Sequence, residues 1–431
     1  MRKILFISAL TISASSSALT LEESVATAIN QHPKLQQKYA SFEAAVRYKK
    51  AAKGDYLPQV KLYGGVGYEN VRYNSGQRID TDLNRTEIGL KVSQLLFDGF
   101  RTTSEIDRLE FEQEAERFGL ISEAENLSLE VAQVYLSLIQ ANKIVSLSEQ
   151  NITEHQAILK DIELRQAKGL SSESDVAQVK ARVATSNTSY LAARNEQMDL
   201  QARYYDLVGE LPNDLHDPRP DMNYVPQSLA HALDIAVKKH PEIDAAIRDT
   251  QAANAQYERE KSDYWPKLSI ELQANKNDNI GGIEGPDEDA RAMLMLSYDL
   301  FNGGSTTDRA EAAAWQYQQA KSIRQQTEKQ VIEGTRLAWN AYEFVGQQRY
   351  FYQQNVDQAM LAQQGYQRQF ELGRRSLLDV LDAKVEVFLA RKNYLTAYYN
   401  YHAASYRLIN ATGSLIESFR VDTPNVWHEE K

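Results

Sequence analysis

The sequence predicts a mainly α-helical chain with four β-strands, built as two copies of a helix, hairpin, long helix, helix unit. Three observations carry the prediction. Short strings recur at a nearly constant offset, apolar residues alternate with period two in four stretches, and two long runs are almost free of Pro and Gly. The recurrence is the firmest. Asn30-Gln-His-Pro-Lys-Leu35 returns as Lys238-Lys-His-Pro-Glu-Ile243, and Asp55-Tyr-Leu-Pro-Gln-Val60 as Asp263-Tyr-Trp-Pro-Lys-Leu268, both 208 positions on. Leu96-Phe-Asp-Gly99 returns as Leu300-Phe-Asn-Gly303, Gly169 as Gly373 and Gly209 as Gly413, each 204 positions on. Units this long are no solenoid repeat; they describe a two-fold repeated architecture.

Taken in order, the N-terminus reads as an export signal: Arg2 and Lys3, an apolar stretch from Ile4 to Ile12, then small residues to Ala18, with cleavage expected after Ala18. A helical stretch from about Leu21 to Lys53 follows, matched by Ser228 to Lys261. His32 and His240 sit in the repeated His-Pro turn, and the 7 His show no metal-ligand spacing. After Pro58, Val60, Leu62, Val66 and Tyr68 alternate with Lys61, Tyr63, Gly67 and Glu69; Ile88, Leu90 and Val92 form a partner strand. The second copy alternates Leu268, Ile270, Leu272 and Ala274 with polar residues, and its partner run carries Ala292, Leu294 and Leu296. Polar stretches from Tyr73 to Asn84 and from Asn277 to Asp289 are expected as long hairpin loops. Tyr56, Trp265, Phe97 and Phe301 border the strands, either as interfacial aromatics or as strand-end packing.

From Arg101 to about Lys168 there is no Pro, and Ser305 to Leu372 matches that run. Each predicts a helix on the order of 100 Å long at 1.5 Å per residue. Leu127, Val131, Val134, Leu138, Ala141, Val145, Ser148 and Ile152 follow the 4-3 spacing of a coiled-coil seam. The helices end at Gly169 and Gly373, the turns from which a second helix returns. The expected boundaries are 1–18 signal peptide, 19–211 first repeat, 212–226 linker, 227–415 second repeat and 416–431 tail.

The 431 residues carry a net charge of −11, which excludes a nucleic-acid surface, and 0 Cys, which excludes disulfides, thiolate metal sites and a Cys nucleophile. Nor is there a nucleophile–base pair or a metal cluster, so no enzyme and no cofactor is expected. Four strands cannot close a barrel, and two hairpins with apolar faces leave unpaired edges. In an exported acidic chain the physical solution is a barrel in the outer membrane, and three chains would supply twelve strands.

The duplicated order, Asn30-Gln-His-Pro33, Asp55-Tyr-Leu-Pro58, Leu96-Phe-Asp-Gly99 and above all Gly373-Arg-Arg-Ser-Leu-Leu-Asp-Val-Leu-Asp-Ala383 carry a resemblance. The chain resembles TolC-type outer-membrane efflux proteins over essentially its whole mature length. That implies a homotrimer with a twelve-stranded membrane β-barrel and a coiled-coil α-helical barrel crossing the periplasm. Its closed tip would be opened by a periplasmic adaptor and an inner-membrane pump, proton-driven or ABC type. Asp379 and Asp382, three apart on one helix face, would form two carboxylate rings in a trimer. Ser376-Leu-Leu-Asp379 also reads as a helix cap, as does Ser172-Glu-Ser-Asp175. By the resemblance Asp175 and Arg375 form a tip latch, and the family's tyrosine in that latch falls at Phe370, which has no hydroxyl. The other reading of the chain is an exported coiled-coil structural or adhesive protein without a pore.

Overall fold

The structure, a computed structural model, describes residues 20–427 apart from Gly76 and Asn213. The expected signal peptide, 1–18, and the last four residues of the expected tail lie outside the described residues. Helices α1 (Leu21–Gln31) and α2 (Pro33–Lys53) precede strands β1 (Gln59–Ser75) and β2 (Gln77–Phe97), then α3 (Arg101–Ala167) and α4 (Glu173–Val208). The order then recurs: α5 (Leu229–Lys239), α6 (Pro241–Lys261), β3 (Lys267–Asp278), β4 (Pro286–Ser297), α7 (Ser305–Glu371) and α8 (Leu377–Ala411). A short α9 (Leu415–Phe419) closes the chain. Both long helices have 67 residues. The His-Pro pairs divide α1 from α2 and α5 from α6, with His32 and His240 as C-caps and Pro opening the next helix.

The chain forms two compact units that cut across the repeats, since each draws on both copies. One comprises Gln37–Leu120 and Pro241–Lys329 and contains the β-sheet. Its four strands run antiparallel in the order β1-β2-β3-β4, so β1 and β4 are the edges and β2 joins β3 across the repeats. In register, Val60, Val92, Leu272 and Ala292 share one face, as do Leu62, Leu90, Ala274 and Ala290. This apolar face is open: Leu62 is 70% and Leu296 69% exposed. It runs from Leu268 to the ion pair of Lys276 and Glu288 (2.8 Å), about 26 Å at 3.3 Å per residue. Outer-membrane barrels carry an apolar band about 25 Å tall. Tyr56, Trp265 and Phe301 at the strand ends are exposed; Phe97 is half-buried, edge-on to Phe100.

The opposite face is polar and cross-linked. Tyr63 Oη donates to Asn275 Oδ1 (2.7 Å), Gln273 Nε2 donates to Tyr63 Oη (2.6 Å), and Lys91 pairs with Glu271 (2.9 Å). Tyr63 reaches β3 across β2 because the intervening residue is Gly89, where a Cβ would lie 2.5 Å from the tyrosine ring. Gly89→Val is therefore expected to expel Tyr63 and break the link between the repeats, costing about 1–3 kcal/mol. A lower unfolding temperature in detergent is the readout, and Tyr63→Phe should reproduce the part due to the hydroxyl.

The expected loop from Tyr73 to Asn84 is corrected. β1 and β2 stay paired through Tyr73↔Ile79 to Ser75↔Gln77, so the first hairpin overhangs the sheet. The second loop, 279–285, is also shorter than expected. The residues there are mostly polar and show no apolar alternation, which hides a strand from a reading based on apolar period.

The second unit comprises Ile121–His240, the chain from Gln330 onward and the N-terminal stretch to Gln36. The predicted seam on α3 is its core: Leu127, Val131, Leu138, Ala141, Val145 and Ser148 are buried, with Val134 and Ile152 half-buried. The segment expected as a tail packs here as well. Glu125, 6% exposed, accepts the first backbone N–H groups of α9, from Leu415 (2.9 Å) and Ile416 (3.2 Å). Burial pushes its carboxyl up to about 7 against those bonds. The folded state then binds more protons than the unfolded between about pH 4.5 and 7, so stability falls as pH rises through that window. Glu125→Gln should flatten that slope in thermal melts at pH 5 to 8. An unchanged slope would contradict the assignment.

Candidate functional site at the helical turns

The turn from α3 to α4 and the turn from α7 to α8 are built alike. Gly169 (φ 73) and Gly373 (φ 70) take the left-handed conformation after the long helices. Leu170 N–H donates back to the Arg165 carbonyl (2.8 Å) and Arg374 N–H to the Gln369 carbonyl (2.8 Å), the six-to-one closure of a Schellman turn. The returning helices open on reciprocal caps. Asp175 N–H donates to Ser172 Oγ (3.1 Å), and Asp379 N–H to Ser376 Oγ (3.2 Å). The carboxylates answer: Asp175 accepts from Ser172 N (2.9 Å) and Ser171 Oγ (2.8 Å), and Asp379 from Ser376 Oγ (2.7 Å). The Ser172 backbone bond holds the Asp175 carboxyl below its ordinary range, and the Ser376 hydroxyl does the same for Asp379.

Beneath the turns Ile162, Val176, Val179, Leu377 and Leu381 form an apolar cluster, with Phe370 packed against it. Phe370 thus fills the core of the turn, and Arg165 lies over its ring at 5.6 Å. Asp175 and Arg375 are not brought together within the chain. Arg375 turns to its own hairpin: Nε donates to Gln369 Oε1 (2.9 Å), Nη1 lies 3.7 Å from Asp379 Oδ2, and the guanidinium sits 4.2 Å over the Tyr366 ring. Tyr366, a turn before Phe370, holds the arginine by its face.

Two contacts escaped the sequence reading. Arg182 on α4 donates to Asp382 Oδ1 on α8 (2.6 Å), and Lys384 Nζ donates to Glu154 Oε2 on α3 (2.7 Å). Both join the second repeat's returning helix to the first repeat. Asp382 is therefore paired, whereas Asp379 belongs to a cap. No sequence spacing could reveal this, because the partners are 200 and 230 positions apart. Among the described residues no group of three or more His, Asp or Glu could hold a metal ion, and no helix is long and apolar enough to cross a membrane. The arrangement brings charge, apolar packing and hydrogen bonds between the two repeats together near the turns.

The family description "Outer membrane efflux protein" matches residues 25–210 and 232–414, one match per copy. The chain belongs to the outer membrane efflux protein family. Among its relatives, outer membrane efflux protein BepC of Brucella suis is 26% identical over 84% of this chain and 78% of its own. Outer membrane protein TolC of Vibrio cholerae is 24% identical over 98% of both chains. Alkaline protease secretion protein AprF of Pseudomonas aeruginosa is 21% identical over 93% of this chain and 86% of its own. The fold matches that of the outer membrane protein VceC of Vibrio cholerae, with TM-score 0.78, 17% identity, and 91% of this chain and 96% of that one covered. A membrane protein from Pseudomonas aeruginosa gives TM-score 0.81 at 18% identity, covering 91% and 93%. As an outer membrane efflux protein, the chain has its sheet and its capped turns in a fold shared with solved channels of this kind.

Proposed function

We propose that this efflux protein is a homotrimeric export duct that catalyses nothing. Three four-stranded sheets close a twelve-stranded barrel in the outer membrane of a Gram-negative bacterium. The helices form a tube through the periplasm, closed at the Gly169 and Gly373 turns until a periplasmic adaptor and an inner-membrane pump dock there. The observation that carries the reading is the sheet: one open apolar face, about 26 Å long along the strands, one polar face, and two edge strands, β1 and β4. In water that face would be a liability, which disfavours an exported coiled-coil rod. Neighbouring chains would pair β1 with β4, while lipid covers the apolar side.

At the turns, the reading assigns Asp379 and Asp382 to stacked carboxylate rings and leaves the latch between Asp175 and Arg375 to neighbouring protomers. Arg375→Ser is then expected to raise resting conductance in planar bilayers; a variant as closed as wild type would contradict the latch. Leu170 and Leu372, 75% and 70% exposed at the turns, suit an adaptor contact. Cysteines at these two positions, in a chain with 0 Cys, allow in-cell crosslinking with mass spectrometry of what is captured. An adaptor of a proton-driven pump would mean small-molecule export, and one of an ATP-driven system protein secretion. Capture of neither contradicts the docked duct.

A further inference from the structure

We propose that the loop between β3 and β4 is a size-selecting lid at the outer mouth of the duct, folded inward and held by the Glu69 carboxylate. It deepens the duct reading and rests on it. Register supplies the geometry. β2 and β3 stop pairing at Thr86↔Asp278, whereas β1 and β2 continue to Ser75↔Gln77, leaving the first hairpin beyond the four-stranded block. Beside that overhang the second loop closes on itself. Asn279 (φ 59) donates its N–H to the Gly285 carbonyl (2.9 Å) and accepts the Gly285 N–H on Oδ1 (2.9 Å). Its Nδ2 donates to the Asn84 carbonyl (2.9 Å), fastening the loop to β2.

The loop then leans across the hairpin. Gly282 N–H donates to Glu69 Oε1 (3.0 Å), and Thr81 Oγ1 donates to the Gly282 carbonyl (3.2 Å). A Cβ at Gly282 (φ 77) would stand 2.9 Å from Thr81 Oγ1 and 3.1 Å from Val71 Cβ, so only glycine fits this approach. Arg85 pairs with Glu69 at 2.6 Å and fixes the carboxylate that receives the loop. Glu69, Val71 and Thr81 alternate in register with Tyr63 and Lys91, so they lie on the polar face of the sheet. In a barrel whose apolar face meets lipid, the polar face surrounds the lumen. The loop therefore occupies the passage rather than its rim, with Ile283 exposed. Three such loops narrow the exit. Small cargo passes, wide solutes outside are refused, and wide cargo must displace Gly282 from Glu69.

The test uses the full-length protein in planar bilayers and in cells. Glu69→Ala and Gly282→Val each release the loop, and a third variant replaces residues 280–284 with two glycines while keeping Glu69. All are made together with Arg375→Ser, so that the turns no longer limit the current; released or shortened loops should then raise single-channel conductance about twofold as the outer section widens. They should also sensitise cells to a glycopeptide antibiotic too wide for ordinary porins. Conductance equal to that of Arg375→Ser alone in all variants overturns the lid and leaves the duct standing. If the point variants fail to assemble, the shortened loop decides alone. A protein that conducts nothing even with Arg375→Ser removes the duct and the lid together.

Discussion

Phe344→Asp combined with Phe351→Asp abolishes assembly while leaving the chain helical. Leu337, Phe344 and Phe351 lie seven apart on α7, and Leu191, Met198 and Tyr205 lie seven apart on α4, all six exposed in the single chain. Residues seven apart share one helix face with about 20° of drift, so each set is a stripe with coiled-coil spacing. A duct of three chains covers such stripes with the neighbouring copy. Each large apolar side chain so buried contributes about 1.5–3 kcal/mol. An unpaired carboxylate in its place adds a desolvation penalty of several kcal/mol. Repeated at three interfaces, two such changes outweigh the association. Loss of the heat-modifiable oligomer in detergent, with unchanged far-ultraviolet circular dichroism, is the expected record. A trimer surviving both changes would contradict the assignment of these stripes, and Phe344→Leu should leave it intact.

Arg182→Ala makes the channel more cation-selective and more sensitive to divalent block without destabilising it. Arg182 and Asp382 are partly solvated, and exposed ion pairs contribute about 0–1 kcal/mol. The effect lies in the field instead: an arginine at 2.6 Å cancels most of the charge that Asp382 presents to a passing ion. Its removal should lower the blocking concentration of a divalent cation about tenfold, equivalent to about 1.4 kcal/mol. Asp382→Asn in the same background should reverse this. Asp379→Ala with Asp382→Ala in the otherwise native chain should weaken block. Selectivity indifferent to Arg182 would mean that Asp382 does not face the ion path.

Most of the helical architecture was legible because it rests on local signals. The His-Pro turns, the Leu-Phe-Asp/Asn-Gly strings and the seam from Leu127 to Ser148 each announce an element through its own residues. Asp98 shows why one string recurs. It accepts from Thr102 N (2.9 Å) and caps α3, as Asn302 caps α7 through Thr306. The overhang from Tyr73 to Asn84 was not legible, since its mostly polar residues carry no apolar period. At the turns, the caps of Asp175 and Asp379 could be read from spacing, but the partners of Arg182, Lys384 and Arg375 could not. Those depend on the register of helices from different repeats and on a ring, Tyr366, that offers its face rather than a hydrogen bond. The resemblance pointed to Gly169 and Gly373, which do close the turns, while pairing Arg375 with Asp175, which it does not touch within the chain.

Single-channel recording of the detergent-extracted protein in a planar bilayer tests the central claim most directly. The account predicts that a heat-modifiable trimer inserts and gives small, cation-selective currents that divalent cations block from the side exposing the turns. A water-soluble rod, or a membrane-inserted oligomer that passes no ions in wild-type form or with Arg375→Ser, would contradict it.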